Sequence, residues 1–506
     1  MARADYFDRA ALAASQVISG FDPQLFSDML VANPIELCLG PTTSVEARAL
    51  TDLTVRLLAR LYPTIAFRGP EVEVRAAQEL ARRINPRLDL ETDDPQASVV
   101  IGRQAVAPRG PAIFAGSDGW SALLSDDEAQ EVGHAANPIG AGAAACIAAA
   151  RLFRRIFFGH IAPEARVSIS VLELVGGPGR TLAGLPTQLP RGVFLVGAGA
   201  IGNAVLWTLD QMALTGQLHV MDDEAIDLTN LQRYVLAERG HVGAPKVVRA
   251  AEHAGHLTVI QHPQRWQDYV ASNGCDWDRV LVAVDSIQER RDLQSSLPRW
   301  IANAWTQPDD LALSTHRFDD GPCLGCVYLP EDQLPSDDEI LARDLHIDYE
   351  RFKFLLRDLL YRDAPPPTEL LTAIADGLKI DPAQLAPYRD RSLRILHVEG
   401  VCGGGLVSMQ DLSGLNRDVH VPLAHQSALA GVLLAAALIC DLLGSAGDPT
   451  RLVRLNLNRA LSDQVMVRPQ VRDGSGRCIC RDPDFLRVYH AKWDGVPFEL
   501  DVALRP

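Results

Sequence analysis

Residues 193–212 read VFLVGAGAIGNAVLWTLDQM, and the fold follows from how this stretch is parsed. Four apolar residues make a buried strand, and Ala200 onward has helical spacing. Between them, Gly197, Gly199 and Gly202 fall on a G-x-G-x-x-G pattern. Glycines there let backbone approach a phosphate, and the helix N-terminus behind them presents amide donors. The next apolar run, LHVMDD at 218–223, ends on Asp222, where a carboxylate can accept from a ribose hydroxyl. So far NAD, FAD and ATP fit equally well.

Bulk properties narrow the class. The chain has 506 residues, enough for two to four domains, and is 47% hydrophobic and 22% charged, as globular proteins are. A net charge of −16 argues against a nucleic-acid partner, which would need a basic face. No charge-free apolar run suggests a membrane span, and MARADYFDRAALAAS lacks a signal core, so the expectation is a cytoplasmic protein. Nine cysteines, an odd number along so long a chain, do not read as a secreted disulfide framework.

Outward from the glycine turn the chain alternates strand and helix, the pattern of an α/β layer with parallel strands. Upstream, IELCLG at 35–40 and TIAF at 64–67 are strands, and PTTSVEARALTDLTVRLLARLY is a helix with Thr43 as N-cap and Glu46 completing a capping box. ASVVIG, AIFAG and GWSALL are later strands. Two small-residue-rich helices, 136–158 and 421–443, resemble each other and suggest an internal duplication. Small residues there demand close packing against another backbone. The stretch 331–400 is acidic, helical and broken by APPPTE, and reads as an insertion.

DLTNLQR at 227–233 is what a dinucleotide fold does not need. A triphosphate carries roughly four charges and calls for side-chain cations and a metal. Asn230, Arg233 and Lys246 follow Asp222, and Asp285 ends the strand stretch RVLVAVD, where a magnesium ligand would stand. No Walker lysine follows the glycine turn, so this is not a P-loop.

The ordered set GAGAIG, MDD, DLTNLQRY, VGAPK and VAVDSIQER resembles the adenylation domain of the ubiquitin-activating, MoeB, ThiF and HesA family. The resemblance implies α/β architecture with two Rossmann-like halves, the N-terminal one inactive and the C-terminal one active. A helical insertion would carry the catalytic cysteine region. It places ATP and Mg²⁺ on Gly197, Gly199, Gly202, Asp222, Asn230, Arg233, Lys246 and Asp285. Arg9, in YFDRAAL, matches an N-terminal arginine that reaches over ATP, although Ala10 stands where the family has Gln. The first half, with LCLGPTTSVE, lacks both the glycine pattern and Asn-Leu-Gln-Arg. Expected boundaries are 1–30 for a helical arm, 31–175 for the inactive half, 176–330 for the active half, 331–405 for the insertion and 406–506 for its completion. The two-half arrangement also resembles activating proteins of bacterial ubiquitin-like conjugation operons associated with phage defence.

The cysteines sort by context. Cys323 and Cys326 lie in one turn, Cys478 and Cys480 in another, and together they could form a tetrahedral four-cysteine site for structural Zn²⁺. Cys402, in VEGVCGGGL, resembles the family's thioester cysteine, with Cys275 in reserve. Cys38, Cys146 and Cys440 read as core. The expected partners are a ubiquitin-like substrate, a conjugating-type enzyme and a second copy in a homodimer. Two alternatives stay open: a sulfur-carrier adenylyltransferase without a thioester step, and a nucleotide-binding pseudoenzyme scaffold.

Overall fold

The computed structural model describes residues 5–158, 166–182, 184–308, 310–329, 336–402, 421–444, 451–461 and 465–496. In the first half, α1 (Phe7–Ser15) and α2 (Pro23–Ala32) precede β1 (Ile35–Leu39), α3 (Val45–Leu58), β2 (Ile65–Arg68) and α4 (Glu71–Ile84). Then come β3 (Ala97–Ile101), β4 (Ala112–Asp118), β5 (Ser121–Ser125), α5 (Ile139–Phe157), β6 (Val167–Ser170) and α6 (Val171–Gly176). The expected N-terminal arm is therefore two helices, parted where Gly20 adopts a φ of +66°.

The second half runs β7 (Val193–Val196), α7 (Ala200–Gln211), β8 (Gln217–Met221), α8 (Lys246–His253), β9 (Thr258–His262) and α9 (Trp266–Asn273). It continues with β10 (Arg279–Val282), α10 (Ile287–Ser295), β11 (Trp300–Thr306), β12 (Leu311–His316) and α11 (Leu324–Val327). The insertion supplies α12 (Asp337–Asp344), α13 (Tyr349–Arg362), α14 (Thr368–Leu378), α15 (Leu393–Ile395) and a π-helical turn over Leu396–Cys402. Last come α16 (Ala424–Leu442), β13 (Arg451–Leu455), β14 (Val465–Pro469) and α17 (Pro483–Trp493).

The two sheets repeat one plan. The first has strand order β2-β1-β3-β4-β5-β6, parallel through β4 and antiparallel beyond it. The second contains β8-β7-β10-β11-β12-β13 with the same parallel and antiparallel sense, plus edge strands β9 and β14. In each, one long alanine-rich helix lies in sequence between the last two of these strands, α5 in the first half and α16 in the second. The suspected duplication is thus a duplication of topology, and the insertion is the extra length between β12 and α16.

The halves meet through α3, α5, α7 and α16. A Cβ on Gly431 of α16 would sit 2.4 Å from the Ile201 carbonyl of α7, and one on Gly142 of α5 would press on the Trp207 ring at 3.0 Å. Small residues are needed because backbones touch there. One hydrophobic cluster runs through both sheets, joining Leu37 and Val99 to Leu195 and Val220. The insertion has a core of its own around Phe352, Leu356, Leu370, Ile374, Leu393 and Val401. By length and composition α16 could cross a membrane, but 94% of its apolar window is buried inside the protein.

Candidate adenylation site and cysteine cluster

The C-terminal ends of β7, β8 and β10 converge. Val196 is in register with Met221 on one side and Val282 on the other, so the three chains leave the sheet side by side. Gly197 turns there with φ +94°, and a Cβ on it would lie 2.6 Å from the Ala283 carbonyl. Gly199 is the N-cap of α7. A Cβ on Gly202 would fall 2.1 Å from the Gly197 carbonyl. Each glycine of the motif is set by a close backbone approach or by the helix start, as the pattern predicts.

Asp222 stands one residue past β8. It accepts from the Ala198 amide at 2.8 Å and the Glu224 amide at 3.0 Å, and its Oδ1 lies 3.5 Å from Lys246 Nζ. Burial raises its carboxyl, and the Lys246 charge works against that rise. Lys246 opens α8, is buried, pairs with Glu224 as well, and sits 5.6 Å from the centroid of the Tyr234 ring. Burial alone would depress this ammonium, but Tyr234, Asp222 and Glu224 outweigh it and hold Lys246 protonated.

Residues Leu228–Gln232 form a 3-10 turn. The Asn230 carboxamide oxygen accepts from the Asp227 amide at 2.9 Å, which leaves its NH2 as the group able to donate outward. Arg233 closes the turn. Its Nη1 is buried and has no hydrogen-bond partner among the described residues. A buried guanidinium nitrogen without an acceptor is costly, and an anionic ligand would satisfy it. Across the pocket Asp285 is exposed just after β10, and Ser286 caps α10. Glu289, one helical turn beyond Asp285, is pushed up to about 7 by burial and then by the charges of Asp285, Asp223 and Asp222. Sequence reasoning gave Glu289 no role; its spacing from Asp285 is the signal that puts both near one pocket. Acids clustered at the mouth suit a divalent cation carried in with a nucleotide.

Helix α1 reaches this pocket from the first half. Tyr6 packs with Leu231 and Tyr234, and Arg9, one turn later, is buried beside that cluster.

The equivalent place in the first half is built differently. Ser44, not Thr43, caps α3, its hydroxyl accepting from the Ala47 amide at 3.0 Å. The expected capping box is therefore absent, because Glu46 is used elsewhere. Its carboxylate is fully buried and accepts from Ser117 Oγ at 2.6 Å and from the Gly119 and Ala135 amides, each at 2.9 Å. The second residue of α3 is thus a buried carboxylate tied to the end of β4 and the loop after β5, where α7 has Ile201.

The four cysteines expected to share a metal do come together. Their sulfur atoms lie within 4.8 Å of one another, with Cys323–Cys478 at 3.4 Å, Cys326–Cys478 and Cys326–Cys480 at 3.5 Å and Cys323–Cys326 at 4.0 Å. A tetrahedron with metal–sulfur bonds of about 2.3 Å has edges of roughly 3.8 Å. The C-x-C pair serves as well as C-x-x-C would, because each pair sits on its own turn.

The nucleophile candidates separate. Cys402 ends the π-helical turn that closes the insertion core; its side chain and Gly403–Gly405 lie outside the described residues. Nearby His397 is engaged with Asp344 at 3.0 Å. The chain re-enters at Val421, whose amide bonds Gln16, and the Pro422 carbonyl accepts from Gln232 at 3.4 Å. Val421 and Pro422 thus lie against the end of α1 and the Leu228–Gln232 turn. Cys275 precedes β10, at the opposite end of that strand from Asp285, and its thiol lies 3.8 Å from Lys492. Asp285, at the other end, is on the side where the glycine turn leaves the sheet. Cys38, Cys146 and Cys440 are fully buried, as expected of core residues.

Against known families, residues 189–342 match the ThiF family, which covers the glycine turn, Asn230, Arg233, Lys246 and Asp285. The chain belongs to the ThiF family. Residues 40–158 match a second family, described as Prokaryotic E2 family C. Over 514 residues the chain is 39% identical to the uncharacterized protein y4jF of Sinorhizobium fredii, spanning 97% of this chain and 98% of that one. It is 29% identical to the NEDD8-activating enzyme E1 catalytic subunit of Saccharomyces cerevisiae, over 21% of this chain and 36% of that protein. It is 28% identical to the adenylyltransferase and sulfurtransferase UBA4 of Kluyveromyces lactis, over 27% of this chain and 32% of that one. The ThiF-family chain therefore spans about a third of each of these two eukaryotic relatives. Residues 189–342 thus form a ThiF-family domain that is similar in sequence to parts of E1 enzymes and adenylyltransferases.

Proposed function

We propose that this ThiF-family chain adenylates the C-terminal carboxylate of a ubiquitin-like protein and then captures the acyl group on Cys402 as a thioester for a conjugating enzyme. The observation that carries the first step is the buried Nη1 of Arg233, which has no hydrogen-bond partner among the described residues. The substrate carboxylate attacks the α-phosphorus of ATP, and pyrophosphate leaves with growing negative charge. Arg233, the Asn230 amide and Lys246 are donors placed in advance for that charge, which is where such donors lower a barrier most. Lys246 must exchange its Glu224 partner for phosphate, and its strong protonation keeps it cationic while it does. Mg²⁺, held by Asp285, would neutralise phosphate charge and orient the triphosphate. Arg9 covers the pocket from α1. Zn²⁺ in the cysteine tetrad would tie the α17 segment to the second sheet and take no part in the reaction.

In the second step the Cys402 thiolate attacks the acyl carbon, a thioester forms, AMP leaves, and the thiol proton passes to solvent. A separate helical core ending at Cys402 supports this step over the sulfur-carrier reading, which needs no such unit. The E2-like stretch supplies no alternative thiol: its one cysteine, Cys146, is buried in α5, and burial raises it far from reactivity. We read that half as a scaffold.

The test uses the full chain with the ubiquitin-like proteins of a bacterial conjugation system. Wild type should catalyse substrate-dependent ATP–pyrophosphate exchange and form a thiol-sensitive adduct, while Cys402→Ala keeps exchange and loses the adduct. An adduct that survives Cys402→Ala refutes the thioester assignment. Exchange without any adduct in wild type selects the sulfur-carrier chemistry, and ATP binding without exchange selects the scaffold.

A further inference from the structure

Four consecutive carbonyls directly after Arg233 each accept from an arginine. Arg60 Nη2 donates to Tyr234 O at 2.5 Å and Ala237 O at 2.8 Å, and Arg56 Nη1 donates to Val235 O at 3.0 Å. Arg249 reaches Leu236 O at 3.4 Å through Nε and 3.5 Å through Nη2. Arg56 lies in the last turn of α3 and Arg60 just beyond its end, in the half that has no nucleotide motif. Both are buried.

The same helix holds the other wall of the pocket. Asp52 accepts from Trp207 Nε1 on α7 at 2.7 Å and from Arg56 Nε at 2.7 Å. Asn203, also on α7, joins the two walls: its Oδ1 accepts from the Leu236 amide at 3.3 Å, and its Nδ2 donates to the Ala198 and Gly199 carbonyls at 2.8 and 3.0 Å. Helix α3 is therefore bonded to the glycine-turn helix on one side and to the backbone behind Arg233 on the other.

A guanidinium buried for packing alone is expensive, whereas Arg60 Nη2 makes two charge-assisted bonds to carbonyls that fix backbone in place, its Nε and Nη1 having no partner among the described residues. Burial pulls Arg60 down to about 10, so it is still a cation at neutral pH.

We propose that Arg60, acting beside Arg56, which Asp52 holds, is a positioning residue for adenylation: from the first half the two arginines lock residues 234–237 so that Arg233 stays aimed at the departing diphosphate. This rests on the adenylation reading of the pocket. Arg60 touches no reacting atom; it acts through the loop. A displacement of about 1 Å at such a group is enough to cost on the order of 10²-fold in rate.

The experiment compares full-length wild type with Arg60→Met, Arg60→Lys and Asp52→Asn. It measures ATP affinity by titration, kcat and KM for substrate-dependent pyrophosphate exchange, thermal unfolding, and amide hydrogen exchange over residues 230–237. Arg60→Met should lower kcat about 10- to 100-fold while ATP affinity stays within roughly 3-fold. Arg60→Lys, which keeps a donor, should recover part of that loss. The Leu236 amide should exchange faster in both variants, and in Asp52→Asn to a smaller degree. Wild-type kcat in Arg60→Met overturns the proposal, as does a loss of kcat matched by an equal loss of ATP affinity. If Arg60→Met does not fold, Asp52→Asn decides: unchanged kcat and unchanged amide exchange there overturn the proposal. Should wild type itself catalyse no exchange, the adenylation reading fails; the amide-exchange arm still reports whether Arg60 orders the loop.

Discussion

Replacing Gly202 by alanine tests the pocket most directly. The added Cβ would lie 2.1 Å from the Gly197 carbonyl oxygen and 3.1 Å from its carbon, both backbone atoms that cannot rotate aside. That is on the order of 1 Å short of ordinary van der Waals contact, so α7 must retreat from the glycine turn by about that much. Asn203, the next residue, would be drawn off the Ala198 and Gly199 carbonyls it now holds. Overpacking of this kind costs about 1–3 kcal/mol of stability. The same shift withdraws the α7 amides from the phosphates, and a misplacement of that size costs about 10²-fold in rate. The assay is substrate-dependent ATP–pyrophosphate exchange beside ATP titration and denaturant unfolding. Gly240→Ala is the control, because a Cβ there meets nothing within 4 Å. Gly202→Ala with wild-type exchange and stability would refute the view that this glycine is fixed by close approach.

Other outcomes follow from the cysteine tetrad and from one buried histidine. Cys480→Ser should abolish stoichiometric zinc, read by elemental mass spectrometry, and lower the unfolding temperature; a strong chelator should do the same to wild type, and metal-free wild type of unchanged stability would refute the assignment. His425 is buried and pushed down to about 3, chiefly by burial and then by Arg154, so it is held neutral in the fold. The unfolded chain takes up a proton near pH 6.5 that the folded one refuses. The associated stability is intact above pH 6.5 and drains away as pH falls toward 3, by on the order of 3–5 kcal/mol in all. His425→Gln should therefore flatten the pH dependence of unfolding between 6.5 and 4 by about one proton, and an unaltered slope would show that this histidine is not the acid-sensitive group.

What could be read from the residues alone was local. The glycine turn, Asp222 and the TNLQR segment announce themselves because each role is set within a few residues, by a sharp turn or a strand end. The cysteine pairs were legible for the same reason, although nothing local says that two turns more than 150 positions apart in the chain meet at 3.4 Å. Long-range partners hid the rest. Glu46 looked like a capping-box acid because Ser117, Gly119 and Ala135, which take it away from that duty, lie far downstream. Arg56 and Arg60 carry no local signal, because their acceptors belong to the other half. The duplication showed as two alanine-rich helices, but its real content, one strand order used twice, exists only in hydrogen-bond pairing.

Glu46 has a consequence for how the molecule responds to nucleotide. Glu46 is committed to Ser117, Gly119 and Ala135, and of the two matched folds only the second carries the glycine pattern and Asn-Leu-Gln-Arg. Titration with ATP should saturate at one equivalent per chain along a simple hyperbola. A symmetric pair of such folds could let its seats communicate, giving sigmoid curves or alternating turnover; here only one fold carries the phosphate-binding residues.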